Sequence, residues 1–199
     1  DKEMRENILG VIPHITVSTE EDLNSQEWQN IENLILDLAS VEAISPTINV
    51  GGVAASPSGS SGVLVNGVDP GREVDVSVID DFFIEGELAY LKNNRWGVTL
   101  GKSLAEKLGV GMGETIEIFS PSIVINPLSS RVIFRQFEVV GIFKVGNQEI
   151  DSNLIIANMD SVRALFRIKQ EHNGLRIKTH DVLNVNETER EISDLSPEI

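Results

Sequence analysis

The chain has 199 residues, 41% of them hydrophobic, and carries 31 acidic against 16 basic residues for a formal charge of -15. It is too apolar for a disordered segment and long enough for one large domain or two small ones. The charge disfavours nucleic acid and anionic membranes as partners, and the absence of cysteine removes disulfides, thiol catalysis and cysteine zinc sites.

No apolar run approaches the roughly eighteen residues that a membrane-spanning helix needs. No signal peptide is visible, so an exported domain is expected to be part of a longer chain. After the charged "DKEMRENILG", the segment "PHITVS" reads as a strand. Trp28, Ile31, Leu34, Ile35 and Leu38 then recur at helical spacing and predict a one-faced helix. The strand candidates "AISPTINVGGVAAS" and "GVLVNGVD" flank "SPSGSSG", whose composition predicts an exposed, mobile hairpin loop. "DPG" at Asp69 to Gly71 predicts a turn and a domain boundary.

From there to about Gly174 the pattern changes. "WGVTLG", "ETIEIF", "FEVVGIF" and "SNLIIAN" read as strands, with helices expected at "KSLAEKLG" and "MDSVRALFRI". "GLRIKTHD" returns as a strand before the acidic, amphipathic "NETEREISDL". The expected fold class is α+β. A β-α start after Gly174 complements the β-α-β-β start at the beginning, which predicts a discontinuous subdomain of residues 1–69 plus 174–199 with 70–173 inserted as a mostly-β subdomain.

Candidate chemistry fares badly. "WGVTLGKS" differs from the phosphate loop G-x-x-x-x-G-K-S/T, because Trp96 stands five positions before Gly101 and Gly97 is one residue out of register. Gly101 is expected to close a strand and Lys102 to start a helix. His14, His172 and His180 are too scattered for a ligand set and are expected at the surface or on strands. "GSSG" at Gly59 to Gly62 is expected to be a flexible loop, and Asp80 and Asp81 solvated turn acids. Asn186-Glu187-Thr188 fits a glycosylation sequon that nothing else supports. No catalytic residue, cofactor or metal ligand is assigned.

One stretch resists this bland reading. Between "ETIEIF" and "FEVVGIF" lie seventeen residues, "SPSIVINPLSSRVIFRQ", where a hairpin connection needs two to five. Ile123, Val124, Ile125, Leu128, Val132, Ile133 and Phe134 are apolar, and no acid occurs from Ile118 to Phe137. Pro121 and Pro127 resist regular pairing inside a sheet, and Asn126-Pro127 favours an extended or turn form. Arg131 and Arg135 add local positive charge. Such a tongue is either a flap folded back over the core or a protruding binding element, and its composition suits the second.

The order of "NILGVIPH", "VLVNGVDP", "LGKSLAEKLGVGMGETIEIFSP", "FEVVGIFKVGNQEIDSNLIIANMDSVRALF" and "GLRIKTHDVLN" resembles the periplasmic domain of LolC- and LolF-type permease subunits of the lipoprotein-releasing ABC transporter LolCDE. The resemblance covers essentially the whole chain. It implies a porter-like subdomain built from both ends, an inserted Sabre-like subdomain, and a strand following the last helix. It also implies a protruding β-hairpin, the Hook, at about 121–136, which recruits the periplasmic lipoprotein carrier LolA. Pro127-Leu128 matches a Pro-Met at the Hook tip, so Ile123, Val124, Ile125, Asn126, Pro127, Leu128 and Arg131 are the implied contacts. Of the adjoining Pad, the family's Gln-Arg pair falls at Phe134 and Arg135.

The resemblance further implies a noncatalytic domain on the periplasmic side of the bacterial inner membrane. The implied partners are a second permease, LolE-like or another copy, the cytoplasmic ATPase LolD and lipoprotein cargo, with no cofactor and no nucleic acid. The alternative is a MacB- or FtsX-like domain coupling an ATPase to an efflux partner or cell-wall hydrolase, which shares the "GKSLAEKLG" and "VVGIF" pattern and fits the same fold but explains the tongue less well.

Overall fold

A computed structural model of the chain describes residues 15–19, 23–126, 129–180 and 185–195, with the backbone alone for 122–126, 129–131 and 185. The first strand, Ile15–Ser18 (β1), precedes the helix Ser25–Leu36 (α1). Asn24 starts that helix with a capping box. Its Oδ1 accepts from the N–H groups of Gln26 and Glu27, while Glu27 Oε2 accepts from the Asn24 N–H at 2.7 Å. Trp28 and Ile35 are buried and Ile31 and Leu38 pack beside them, but Leu34 is 48% exposed. The helical face is therefore narrower than its apolar spacing suggests.

A long hairpin follows, Val41–Ser56 (β2) and Gly59–Val68 (β3), paired in register from Thr47↔Val68 to Ser56↔Gly59. The expected mobile Gly/Ser loop is not there. Only Pro57 and Ser58 lie between the strands, and Gly59 to Gly62 belong to the ladder. Side-chain contacts hold this end of the hairpin. Lys107 Nζ donates to Ser61 Oγ at 2.8 Å, and Ser56 Oγ donates to the Leu108 carbonyl. The expected turn at Asp69 is likewise a helix start. Asp69 Oδ1 accepts from the Gly71 N–H at 2.8 Å and Pro70 fills the first position of Pro70–Val76 (α2), a position where the proline's missing N–H costs nothing.

Two short 3-10 turns, Ile79–Phe82 and Leu88–Lys92, flank the edge strand Phe83–Gly86 (β4). Gly97–Gly101 (β5) runs into the helix Lys102–Leu108 (α3), and Thr115–Asn126 (β6) pairs with Ser129–Phe143 (β7). Then come Gln148–Asn153 (α4), Leu154–Asn158 (β8), Met159–Phe166 (α5), Gly174–Thr179 (β9) and Val185–Leu195 (α6).

The pairing pattern organises the molecule. β2 pairs with β3, β3 with β8, β8 with β5, β5 with β7, β7 with β6, and β6 returns to β2, so six strands close a ring. β3 with β8 and β5 with β7 are parallel, and the rest of the ring is antiparallel. One core draws Val63, Val98, Leu100, Ile116, Ile118, Phe137, Val139 and Ile155 from this ring, with Leu104 and Leu108 of α3 and Val162 and Leu165 of α5. β9 pairs with β1 and with the first half of β2 outside the ring. There a second core unites Ile15, Val17, Trp28, Ile35, Val41 and Ile44 with Leu175, Ile177 and Ile192, residues from both ends of the described chain. A third cluster, around Ile79, Leu88, Leu91 and Phe143, lies beside the β4 edge. The hairpin β2–β3 takes part in both the ring and the sheet that the chain ends build.

Candidate functional site

The tongue continues the β6–β7 ladder. Pairing runs from Thr115↔Glu138 to Phe119↔Phe134, then resumes at Ile123↔Val132, Val124↔Arg131, Ile125↔Ser130 and Asn126↔Ser129. Three residues of β6, Ser120 to Ser122, therefore stand opposite the single residue Ile133, and Pro121 sits in this irregularity. A proline supplies no N–H to a ladder, which fits its place in a bulge. β6 pairs with β2 only from Glu117 to Phe119. Beyond Phe119 its ladder partner among the described residues is β7 alone. Pro127 and Leu128, and the side chains of Ile123, Val124, Ile125, Asn126 and Arg131, lie outside the described residues.

At the base of this hairpin, residues directly opposite one another share a face. Phe119 stacks on Phe134 with ring centroids 5.1 Å apart and planes 25° from parallel. Val53 of β2 pairs with Phe119, and Val132 lies two residues from Phe134 on β7. These four side chains look outward from the ring, with Val53, Val132 and Phe134 exposed at 42%, 58% and 46%. Their row is a connected apolar strip on the outer face.

Arg135 belongs to the other face. It pairs with buried Ile118, and its guanidinium lies over the Trp96 ring, 5.6 Å from the centroid. The family resemblance groups Phe134 with Arg135 as one adjoining surface. The two-residue period of a strand sends them to opposite sides of β7. Arg95, which no motif singled out, also lies over Trp96, at 5.4 Å. Trp96 in turn meets the buried Phe137 edge-on, 5.4 Å between centroids at 74°.

The positions that suggested other chemistry have structural roles. A Cβ on Gly101 would lie 2.3 Å from the Asp151 carbonyl oxygen, so the glycine admits the close approach of α4 to the start of α3. Lys102 pairs with Glu106 at 3.5 Å. Asp80 sits in a 3-10 turn and accepts from the Leu88 N–H at 2.9 Å. His14 lies outside the described residues and His180 is exposed. His172 departs from the surface expectation. It is buried against Trp28, with ring centroids 4.5 Å apart. Burial lowers its pKa, with Glu32 and Glu171 opposing and Arg72 and Arg163 adding to the effect. Among the described residues no group of three or more His, Asp or Glu side chains could hold a metal ion, and no helix is long and apolar enough to cross a membrane.

Residues 2–195 match the family model of the MacB-like periplasmic core domain. The chain belongs to that family. Within the MacB-like periplasmic core domains, curated relatives include the lipoprotein-releasing system transmembrane protein LolC of Neisseria meningitidis, 28% identical over 92% of this chain and 44% of that protein. The LolC of Xylella fastidiosa is 29% identical over 91% of this chain and 43% of that protein. This chain thus spans less than half the length of these relatives. Among solved structures, the periplasmic region of MacB from Actinobacillus actinomycetemcomitans superposes with a TM-score of 0.58 at 14% identity, covering 97% of this chain and 87% of that one. This likeness establishes a common fold, and the resemblance to LolC-type permeases read from the motifs is met by the curated relatives.

Proposed function

We propose that this MacB-like core domain is the periplasmic part of a lipoprotein-releasing permease, and that its β6–β7 hairpin recruits the periplasmic lipoprotein carrier LolA. The observation that carries the reading is the continuation of the β6–β7 ladder past Phe119, where pairing with β2 ends, to Asn126 and Ser129. A hairpin of this kind can enter a concave partner without remodelling the body behind it. The names of the LolC relatives support the lipoprotein-releasing role.

In this reading Ile125, Pro127 and Leu128 are the buried anchors. Each fully buried side chain of this type contributes roughly 1.5 to 3 kcal/mol, so three outweigh part of the entropic cost of docking. Arg131 tunes orientation, since rim charges act chiefly on encounter and register. The porter-like subdomain consists of 1–69 plus 174–199 and the Sabre-like subdomain of 70–173, with the β2–β3 hairpin shared between their sheets. The domain itself is noncatalytic. The full-length chain pairs with a second permease, and a cytoplasmic ATPase, LolD, drives lipoprotein cargo toward the docked carrier.

The test is a double substitution, Pro127→Ser with Leu128→Asp, titrated with the carrier by calorimetry. Binding is expected to vanish while the melting temperature stays within about 2 °C, because surface changes away from packed features cost within ±0.5 kcal/mol. Normal binding by the double variant overturns the assignment of the hairpin. A markedly lower melting temperature instead identifies the tongue as a flap over the core.

A further inference from the structure

The chain passes from the ring to the sheet of the chain ends through residues 167–173, between α5 and β9, and this connection is pinned at three points. Arg167 ends α5 with a left-handed backbone, φ 57°. The turn lets Ile168 pack against the ring core, with its N–H donating to the Arg163 carbonyl at 3.1 Å. At the other end Asn173 is bound to β2. Its N–H donates to the Thr47 carbonyl at 3.1 Å, its Oδ1 accepts from the Asn49 N–H at 3.1 Å, and its Nδ2 donates to the Asn49 carbonyl at 3.3 Å. The third pin is His172, 7% exposed against Trp28 of α1, while Arg167, Lys169 and Glu171 are exposed.

These pins differ in chemistry. Asn173 meets its partners through hydrogen bonds, whereas His172 Nε2 and Trp28 Nε1 are buried with no partner among the described residues. An indole N–H can only donate. A neutral imidazole is tolerated beside it, because one ring nitrogen then lacks a hydrogen. Protonation puts an N–H on both nitrogens, which buries a cation and a second donor without an acceptor.

Four charged groups face the ring: Glu32 from α1, Glu171 from the same segment, Arg72 from α2 and Arg163 from α5. Two are acids and two are bases, and Arg72 is engaged by Glu32 and Arg163 by Asp160. Desolvation therefore dominates and favours the neutral ring.

We propose that His172 is an acid-released latch, whose protonation frees residues 168–172 from Trp28 and loosens the connection between the two cores while both cores stay folded. The release is local because β9 keeps its pairing with β1 and β2 on either side, and segments with few buried contacts open at lower cost than the strands they join. After release the two cores remain joined through the β2–β3 hairpin. The latch thus gives their joint a stiffness that depends on pH, independently of any role of the β6–β7 hairpin.

The experiment is hydrogen–deuterium exchange of the chain at pH 7.5 and 5.5, corrected for the intrinsic exchange rate at each pH, comparing residues 167–173 with β5. A released imidazole with the ordinary pKa near 6.5 is about ten-elevenths protonated at pH 5.5, so linkage sets the expected loss of protection in the segment at about tenfold. The segment is expected to exchange faster than β5 at both pH values, the mark of opening short of global unfolding. His172→Phe is expected to hold the change below about twofold, since the ring against Trp28 no longer titrates. His172→Gln, neutral at both pH values, replaces it if far-ultraviolet circular dichroism shows that the phenylalanine variant fails to fold.

A flat response of the segment in the unaltered chain overturns the latch without any variant. A tenfold response that persists without the imidazole assigns the release to another group and overturns it too. If the segment exchanges no faster than β5 at pH 5.5, the connection opens only with the whole fold, and the latch is again overturned.

Discussion

His172 and Trp28 are a buried pair whose polar atoms, His172 Nε2 and Trp28 Nε1, have no hydrogen-bond partner among the described residues. An imidazole so placed is stable in its neutral form, and burial accordingly holds its pKa below the ordinary 6.5. The sign follows from linkage. Below pH 6.5 the unfolded chain takes up a proton at this histidine while the folded chain resists, so stability is full above that pH and is lost as the pH falls. The carboxyl of Glu73 is pushed up by its burial, with Arg176 and Ser45 opposing and Asp69 adding, and its effect runs the other way. It is common to both proteins in the comparison that follows. His172→Phe keeps an aromatic ring against Trp28 and removes the titration. Its melting temperature should therefore fall less between pH 7.5 and 5.5 than that of the unaltered domain, and parallel curves would show that His172 does not set the slope.

The strand β7 alternates between the two sides of the ring at the scale of a single element, and two phenylalanines an odd number of positions apart, Phe134 and Phe137, test that alternation. Phe137 is 1% exposed within the ring core, whereas Phe134 is 46% exposed and stacks on Phe119. Phe137→Ala should cost about 3–5 kcal/mol in urea unfolding, the range for a buried aromatic. Phe134→Ala should cost about 1 kcal/mol, the worth of an aromatic pair near the surface. Equal losses would refute the assignment of faces. The strands on either side of the tongue were legible because β-branched residues alternate in "ETIEIF" and "FEVVGIF", and Pro121 marked the irregularity in β6. The same local signals misled at "SPSGSSG". Glycine and serine favour loops on their own, but Lys107 and Leu108 of α3 hold this hairpin end as ladder. Local composition carries no trace of a helix that arrives from later in the chain. Arg95 carries no sequence signal for a related reason, since its partner ring takes its place against Phe137 of β7.

A largely buried polar network lies on the face of β2, β3 and β9 that turns away from the core built from both chain ends and from the core of the ring, beside α2. Arg176 pairs with Glu73 at 2.9 Å, the two side chains being 9% and 1% exposed, and donates to Asn66 Oδ1 at 3.1 Å. Asn66 bonds to Asn49, and Asn173 Oδ1 accepts from the Asn49 N–H at 3.1 Å. Arg72 of α2 reaches Glu32 of α1 and the Ile44 carbonyl. Strand alternation explains how one strand serves both regions, because Leu175 and Ile177 enter the end-built core while Arg176 points the other way. Period-two patterning made β9 legible, yet nothing local identified Glu73 as the partner, since that pairing exists only once α2 packs beside β9. Burial pushes the Glu73 carboxyl up and the Arg176 guanidinium down, each opposed by the other's charge, so removing one leaves a charge in a site that tolerates only the pair. Arg176→Met and Glu73→Met should each cost about 3–5 kcal/mol in chemical unfolding, whereas the double variant should recover most of that loss, since a well-packed apolar pair can replace a buried ion pair at little net cost. The double-mutant cycle then gives a large coupling energy. Additive single losses would mean that the two residues stabilise the junction independently, through packing alone.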